Sequence, residues 1–349
     1  MTAPAHIAID AMSGDHGHTV AVAAALLCLR DTPDLHLTLV GQRDALLASL
    51  PVDAQPLLNQ RLFLQHASEV VGMDEAPSKA LRGKKDSSMR VALNLVKSGP
   101  AQACVSAGNT GALMATAKFV LKTLPGIDRP AITAAIPAAN GHTHMLDLGA
   151  NAECSAEQLF QFAVMGSVLA SVIHGLDRPR VGLLNIGTEE LKGTPEVREA
   201  QELIAAASEV NYQGYIEGDG IFLGRCDVVV CDGFTGNVAL KTTEGAVRLV
   251  RNFMTEEFSR NIFTRLAGLL CILVLKALGK RLDPRNYNGA SFLGLNGVVI
   301  KSHGSADVKA FAHAIRVAQL EVSKDVPNRI SRTLAHALQA RAKVVPQTS

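Results

Sequence analysis

The stretch NIGTEELKG (residues 185–193) holds one lysine, Lys192, between glycines, with Glu189 three residues before it. A lysine supplies a mobile positive charge with three donors, and glycines such as Gly187 let backbone approach a ligand closely. The apolar run 181–184 reads as a buried strand, so this turn leaves the strand's carboxyl end. Such a lysine suits a phosphate oxygen or a leaving group. Taken alone, the stretch is equally an ordinary strand-to-helix turn with a solvated lysine.

Five other apolar strands end in turns of the same kind. DAMSGD carries Asp10, Gly14 and Asp15, and SAGNTG carries Ser106, Gly108, Asn109, Thr110 and Gly111. DLGAN carries Asp147, Gly149 and Asn151, and CDGFTGN carries Asp232, Gly233 and Asn237. KSHGS carries His303, Gly304 and Ser305. This is more polar equipment than turn geometry requires. In open α/β sheets ligands bind beyond the carboxyl ends of strands, so the six turns are expected to border one crevice. Turn amides with one lysine and one asparagine, Asn237, can stabilise phosphate and an oxyanion without a protein nucleophile, which fits transfer to phosphate itself.

The elements that must hold these turns alternate along the chain. Strands are predicted at 7–10, 35–40, 62–66, 103–106, 132–136, 145–148, 181–184, 228–231 and 298–301. Helices are predicted at 20–30, 43–50, from 112 onward, at 155–174, 195–207, 238–279 and 308–323. The polar stretch 67–90, with Lys79, Arg82, Lys84, Lys85 and Arg90, reads as a solvated surface segment.

Several function classes are excluded. There is no G-x-G-x-x-G between strand and helix, no G-x-x-x-x-G-K-[ST] and no G-x-S-x-G, which weakens dinucleotide, nucleotide triphosphate and serine-nucleophile readings. A net charge of +2, no Trp and 4% aromatic residues argue against a nucleic-acid partner. His16 with His18, and His142 with His144, lack a nearby Cys or a helical i, i+4 partner and read as surface histidines, so no metal is expected. The six scattered cysteines read as reduced core residues of a cytoplasmic protein. No secretory leader is visible, and the longest apolar segment, 266–278, is too short to span a bilayer.

At the level of motifs the chain resembles the phosphate acyltransferases of bacterial phospholipid synthesis that use acyl-carrier-protein thioesters (the PlsX family). The resemblance rests on IAIDAMSGDHG, APSKALRGKKDSSM, VSAGNTGALMATA, TLPGIDRPA, LDLGANAEC, LLNIGTEELKGTPEVREA, VVVCDGFTGNVALKTTEG and LNGVVIKSHGSAD, in that order across nearly the whole length. It implies transfer of a long acyl group from acyl carrier protein to inorganic phosphate, without cofactor or metal. The acyl phosphate formed would feed a membrane acyltransferase that acylates glycerol 3-phosphate.

The resemblance also implies a Rossmann-like three-layer α/β sandwich, similar to the isocitrate and isopropylmalate dehydrogenases and the phosphotransacetylases. The whole chain, 1–349, would be one catalytic unit. Lys192 would stabilise charge on phosphate or the departing sulfur, Asn237 would polarise the carbonyl, and the other turn residues would bind phosphate or shape the site. Rival readings are a phosphotransacetylase-like enzyme using short coenzyme A thioesters, a silent carrier-binding regulator and, on fold alone, a decarboxylating dehydrogenase. Ser13, and Ser291 with Phe292 in NGASFLG, depart from the family pattern and bear on pocket shape and acyl length.

Residues 248–285 are expected either as a buried core helix or, as the resemblance favours, as a projecting hairpin of two long helices. The hairpin would pair with a second copy in a homodimer and place Leu269, Leu270, Ile272 and Leu273 at a membrane surface, making the protein cytoplasmic and peripherally membrane-associated. Lys276, Lys280, Arg281 and Arg285 flank the apolar tip with charge suited to anionic lipid or an acidic carrier.

Overall fold

Strand β1 (His6–Asp10) shows how the sheet is built: Ile7 and Ile9 point into one core layer and Ala8 into the layer on the other face. A strand buried on both faces must be nearly all apolar, which is why this one reads as an unbroken run. The computed structural model describes residues 4–281 and 283–344; residues 1–3, 282 and 345–349 of the expected 1–349 unit lie outside the described residues.

After β1 come α1 (Gly17–Asp31), β2 (His36–Gly41), α2 (Arg43–Ala48), β3 (Leu62–His66), α3 (Pro77–Gly83), α4 (Ser88–Ser98), β4 (Ala103–Ser106) and α5 (Thr110–Leu121). The middle of the chain forms β5 (Ala131–Ala138), β6 (Gly141–Leu146), α6 (Ala156–His174), β7 (Arg180–Leu184), α7 (Pro195–Ala205), β8 (Asn211–Ile216), α8 (Gly220–Leu223) and β9 (Val228–Val230). Three helices follow, α9 (Gly233–Ser259), α10 (Ile262–Leu270) and α11 (Ile272–Arg281). The chain then closes with β10 (Ala290–Leu293), β11 (Val298–Lys301), α12 (Val308–Ser323) and α13 (Val326–Val344).

The strands form one 11-stranded sheet in the order β3-β2-β1-β4-β11-β10-β5-β6-β9-β7-β8. Strands β3, β2, β1, β4 and β11 are mutually parallel, as are β6, β9, β7 and β8. The pairs β11–β10, β10–β5 and β5–β6 are all antiparallel, so the two parallel blocks run in opposite directions. Helices α1 and α12 cover one face of the first block, and α6, α7 and α13 cover the same face of the second. On the opposite face a single layer spans both blocks, built from α3, α4, α5, α8 and the start of α9. This is the expected three-layer α/β sandwich.

Helix α6 shows what fixes an element's ends. Ser155 and Gln158 form a capping box at its start, and Gly175 in the left-handed region ends it. By length and composition α6 could cross a bilayer, but 72% of its apolar window is buried inside the fold. It is a core helix.

Four features differ from the sequence reading. The stretch 67–90 is not a solvated segment: it contains α3 and the start of α4, with Ala80 and Met89 buried and Lys84 paired to Glu75 at 2.6 Å. Strands β8 and β10 and helix α13 were not expected. The first is a polar edge strand, the second has four residues after a glycine, and the third buries only a narrow stripe around Ile330 and Leu334. Cys271 is exposed and Cys154 half-buried, so the cysteines are not uniformly core residues. Residues 238–279 form one long helix and two short ones, because Asn261 caps a new helix with its side chain and the chain breaks again at Cys271.

Ser291 has a structural partner that its departure from the family pattern did not suggest. Its hydroxyl donates to the Glu321 carboxylate of α12, and both side chains are buried. Burial pushes the Glu321 carboxyl up to about 7, with the Ser291 hydrogen bond pulling the other way. The folded state therefore holds this proton more tightly than the unfolded chain. Its stabilising effect is complete below the ordinary carboxyl range and is lost as pH rises toward 7. Glu321→Gln is expected to remove a slope of up to about 1.4 kcal/mol per pH unit between roughly pH 5 and 7. Urea unfolding of wild type and variant across that range measures it.

Candidate active site

The six turns gather into two clusters, each at the carboxyl edge of one parallel block. In the first cluster, Asp10 ends β1 fully buried and accepts a 2.6 Å hydrogen bond from Ser106 Oγ at the end of β4. Ser106 Oγ also accepts from the Gly108 amide at 3.1 Å and lies 3.3 Å from Ser13 Oγ. The hydroxyl of Ser13 is thus absorbed into the Asp10 network. Burial raises the Asp10 carboxyl, hydrogen bonds from Ser106, Ser88 and Ser13 oppose this, and Oδ1 has no partner.

The turn 301–305 closes over this network. The Asp15 amide donates to Gly304 O at 2.8 Å, and Gly14, at φ +87°, faces the same carbonyl, where a side chain would be strained. His303 Nδ1 lies 2.9 Å from Ser305 Oγ. Asn109 caps α5 by accepting from the Ala112 amide at 2.9 Å, and its Nδ2 donates to Met73 O at 2.6 Å. It ties the basic segment containing α3 to the cluster. Thr110 and Gly111 open α5, with Gly111 packed against Pro77.

Lys301, which the sequence reading passed over, sits among these groups. Its Nζ donates to Ala107 O at 3.3 Å and to Ser302 O. Burial lowers it to about 8, Asp10 and Asp15 raise it, and Lys241 of α9 lowers it. The signal was present: a lysine closing an otherwise apolar strand directly before a glycine turn.

The second cluster is organised by Asp147, which is fully buried. Its Oδ1 accepts from the amides of Ile132 (2.8 Å) and Ala150 (3.2 Å), and its Oδ2 from the Asn151 amide (2.7 Å) and Asn151 Nδ2 (2.9 Å). Burial raises this carboxyl and the four donors oppose it. All of them come from the turn itself or from neighbouring β5, so Asp147 shapes the loop. Asn151 also donates to Pro130 O at 2.9 Å. The start of α9 docks here: the Gly233 amide donates to Asn151 O at 2.7 Å, and Asp232 caps the helix through the Thr235 amide at 2.8 Å. Gly149, at φ +116°, lies against Asn237, with 3.5 Å from the point where its Cβ would stand to Asn237 Cβ. Asn237 is exposed, on the first turns of α9.

The lysine turn leaves β7, the strand beside β9. Asn185 folds it by accepting from the Ile186 amide at 2.9 Å and donating to Lys192 O at 3.2 Å. Glu189 and Lys192 flank Gly187: its missing Cβ would stand 2.6 Å from the Glu189 carboxylate and 3.3 Å from Lys192 Cγ. Lys192 is exposed. Lys192 and Asn237 therefore issue from adjacent strands, with exposed Ile186, Leu191, Phe234 and Val238 around them.

The two blocks run in opposite directions, but the register from Leu146 through Thr133 and Ser291 to Ile300 ends β6 and β11 in the same row of the sheet, so the carboxyl edges of the two blocks face each other. Helix α9 joins the two clusters. It starts on Asp147, and its Lys241 lies within electrostatic reach of Lys301. The reading of His142 and His144 as a surface pair fails, because His144 is buried and both rings meet His174.

This sheet and its turns define an α/β class with solved members. The chain is similar to a phosphotransacetylase from Streptococcus pyogenes (TM-score 0.59, 16% identity, 92% of this chain and 94% of that one). It is also similar to a EutD phosphotransacetylase from Staphylococcus aureus (TM-score 0.57, 18% identity, 91% and 94%). A 4-hydroxythreonine-4-phosphate dehydrogenase from Klebsiella pneumoniae shares the fold as well (TM-score 0.52, 15% identity, 90% and 98%). Sequence narrows the class. A family profile described as "Fatty acid synthesis protein" matches residues 5–329, and the chain belongs to this family. Among its relatives are proteins named phosphate acyltransferase from Halorhodospira halophila (57% identity, 98% of this chain and 99% of that one) and Nitrosococcus oceani (60%, 94% and 96%).

A Cβ on Gly236 would run into the Asp147 carbonyl and Cys231 Sγ. Gly236→Ala is expected to cost about 3 kcal/mol in urea unfolding, because α9 must lift off the turn to accommodate it.

Proposed function

We propose that this chain is a phosphate acyltransferase that moves a long-chain acyl group from acyl carrier protein to inorganic phosphate, and so supplies acyl phosphate for glycerol 3-phosphate acylation. The carrying observation is its identity to proteins named phosphate acyltransferase along nearly its whole length. The site supports the reading chemically, since the groups around Lys192 and Asn237 are donors and charges, suited to stabilising a reaction between two bound substrates.

In this reading a phosphate oxygen attacks the thioester carbonyl, the carbonyl oxygen becomes an oxyanion, and the carrier's thiolate leaves as the carbonyl re-forms. Asn237 donates to the oxyanion, and Lys192 neutralises phosphate or the departing sulfur. Asp10, Asp147 and Asn151 hold the turns, leaving Gly14, Gly108, Gly149 and Gly187 to bring backbone near the substrates. Ile186, Leu191, Phe234 and Val238 give the acyl chain an apolar path. Exposed Lys79, Arg82 and Lys85 offer an acidic carrier a basic surface beside Asn109.

The helices after Asp232 serve association. Among the described residues of α9, full burial is confined to Gly233 and Gly236 and partial packing on the core extends to Ala239 and Leu240, so the helix leaves the body after about two turns of its roughly 40 Å length. Val247, Val250 and Phe253 recur every three residues on it, exposed, as a face for a second copy. Leu269, Leu270, Ile272 and Leu273 are exposed at its far end, Leu270 at 80% and Leu273 at 77%, and would enter a lipid surface. Lys276, Lys280 and Arg281 supply the accompanying charge. Arg285 does not, since it is held by Asp283 at 2.8 Å and Asp307 at 3.2 Å.

Purified protein incubated with palmitoyl acyl carrier protein is expected to release the carrier's thiol only when inorganic phosphate is added, with acyl phosphate as product. Thiol release independent of phosphate, or none at all, overturns the assignment. Lys192→Ala and Asn237→Ala should each slow turnover roughly a hundredfold or more. Leu270→Glu with Leu273→Glu should abolish flotation with anionic vesicles while soluble activity persists; undiminished flotation removes the membrane role.

A further inference from the structure

Away from both turn clusters, three histidines from two elements meet at the outer end of β6. His142 and His144 alternate along that strand and so face the same side, toward α6. His174 is the last residue of α6, where Gly175 turns the chain away. The Nε2 atoms of His142 and His174 are 2.8 Å apart, and those of His144 and His174 are 2.7 Å apart.

Hydrogen bonding does not account for this arrangement. A ring nitrogen carries either one proton or one in-plane lone pair, so His174 Nε2 cannot donate to one neighbour and accept from the other. No choice of tautomers makes both contacts good hydrogen bonds. We propose that His142, His144 and His174 bind one divalent transition-metal ion, Zn2+ by donor type, through their three Nε2 atoms.

A shared cation satisfies three converging lone pairs at once. Tetrahedral Zn–N bonds of about 2.0–2.1 Å place the nitrogens roughly 3.3 Å apart, so the rings need to open by about half an ångström. Candidate ligand atoms of all three residues already lie within 4.8 Å of one another. His144 is buried and presents Nε2 to the group, with its proton on Nδ1 when Nε2 ligates. The three rings would ligate as neutral imidazoles.

Asp227 lies near enough for its charge to favour a cation among all three rings, and Arg180 holds it at 2.9 Å. His174 is exposed and His142 half-buried, so a fourth position opens to solvent and would be filled by water. An all-imidazole donor set selects Zn2+, Ni2+ or Cu2+ over Mg2+ or Ca2+, which require oxygen.

The test is titration of the full chain, made without a polyhistidine tag and stripped with chelator, first with Co2+ and then with Zn2+. Wild type should take up one equivalent of Co2+ with visible d–d absorption, lose the colour as Zn2+ displaces it, and unfold at higher temperature with Zn2+ present. His174→Gln, at an exposed position, and His142→Gln should each weaken binding by at least about a hundredfold, beyond what loss of an outer-shell partner costs. The double substitution His16→Gln, His18→Gln should bind as wild type. Absence of saturable one-equivalent binding in folded wild type, or binding that survives both His174→Gln and His142→Gln, overturns the proposal.

Discussion

The candidate site depends on one close approach, the seating of the first turn of α9 on the backbone around Asp147. Gly233 and Gly236 have no room for a side chain because Asn151 O and the Asp147 carbonyl occupy that space. The contact is made by a 2.7 Å hydrogen bond from the Gly233 amide. It holds Asn237 against Gly149 and directs the rest of α9 out of the body. Asp147 can serve as the anchor because four donors compensate the burial of its carboxylate, which would otherwise be unfavourable.

The first cluster is built by the same logic with a different balance. Asp10 is as buried as Asp147, but its Oδ1 has no partner and the half-buried Lys301 stands near it. In one cluster the carboxylate is thus fully paired and fixes a loop, although Asn151 Oδ1 beside it has no partner. The other keeps unspent polar capacity around Asp10 and Lys301, and α9 carries Lys241 to its border.

The parallel blocks and their turns were legible because buried parallel strands are apolar runs and their carboxyl ends carry glycine and small polar residues. Chains such as AIDAMSGD and VVVCDGFTGN state both facts at once. Strand β8, with Gln213 exposed, lacks that contrast because it lies at the sheet's edge. Helix α13 escaped notice because its stripe of Ile330, Leu334 and Ala337 is narrow among charged residues. The histidine cluster was hidden for a different reason. It depends on which distant segments meet, since His174 lies 30 residues from His144, and local spacing carries no trace of that pairing.

Strand β10 is where the two blocks join, and the join is slight. Ala290 and Ser291 pair with β11, and Ser291 to Leu293 pair with β5, whereas β5 and β6 pair over six residues from Thr133 to Ala138. A ladder so short resists bending less than its neighbours do, so flexure of the long sheet concentrates at β10. The buried Ser291–Glu321 contact lies on that seam and ties β10 to α12 where the ladder is shortest.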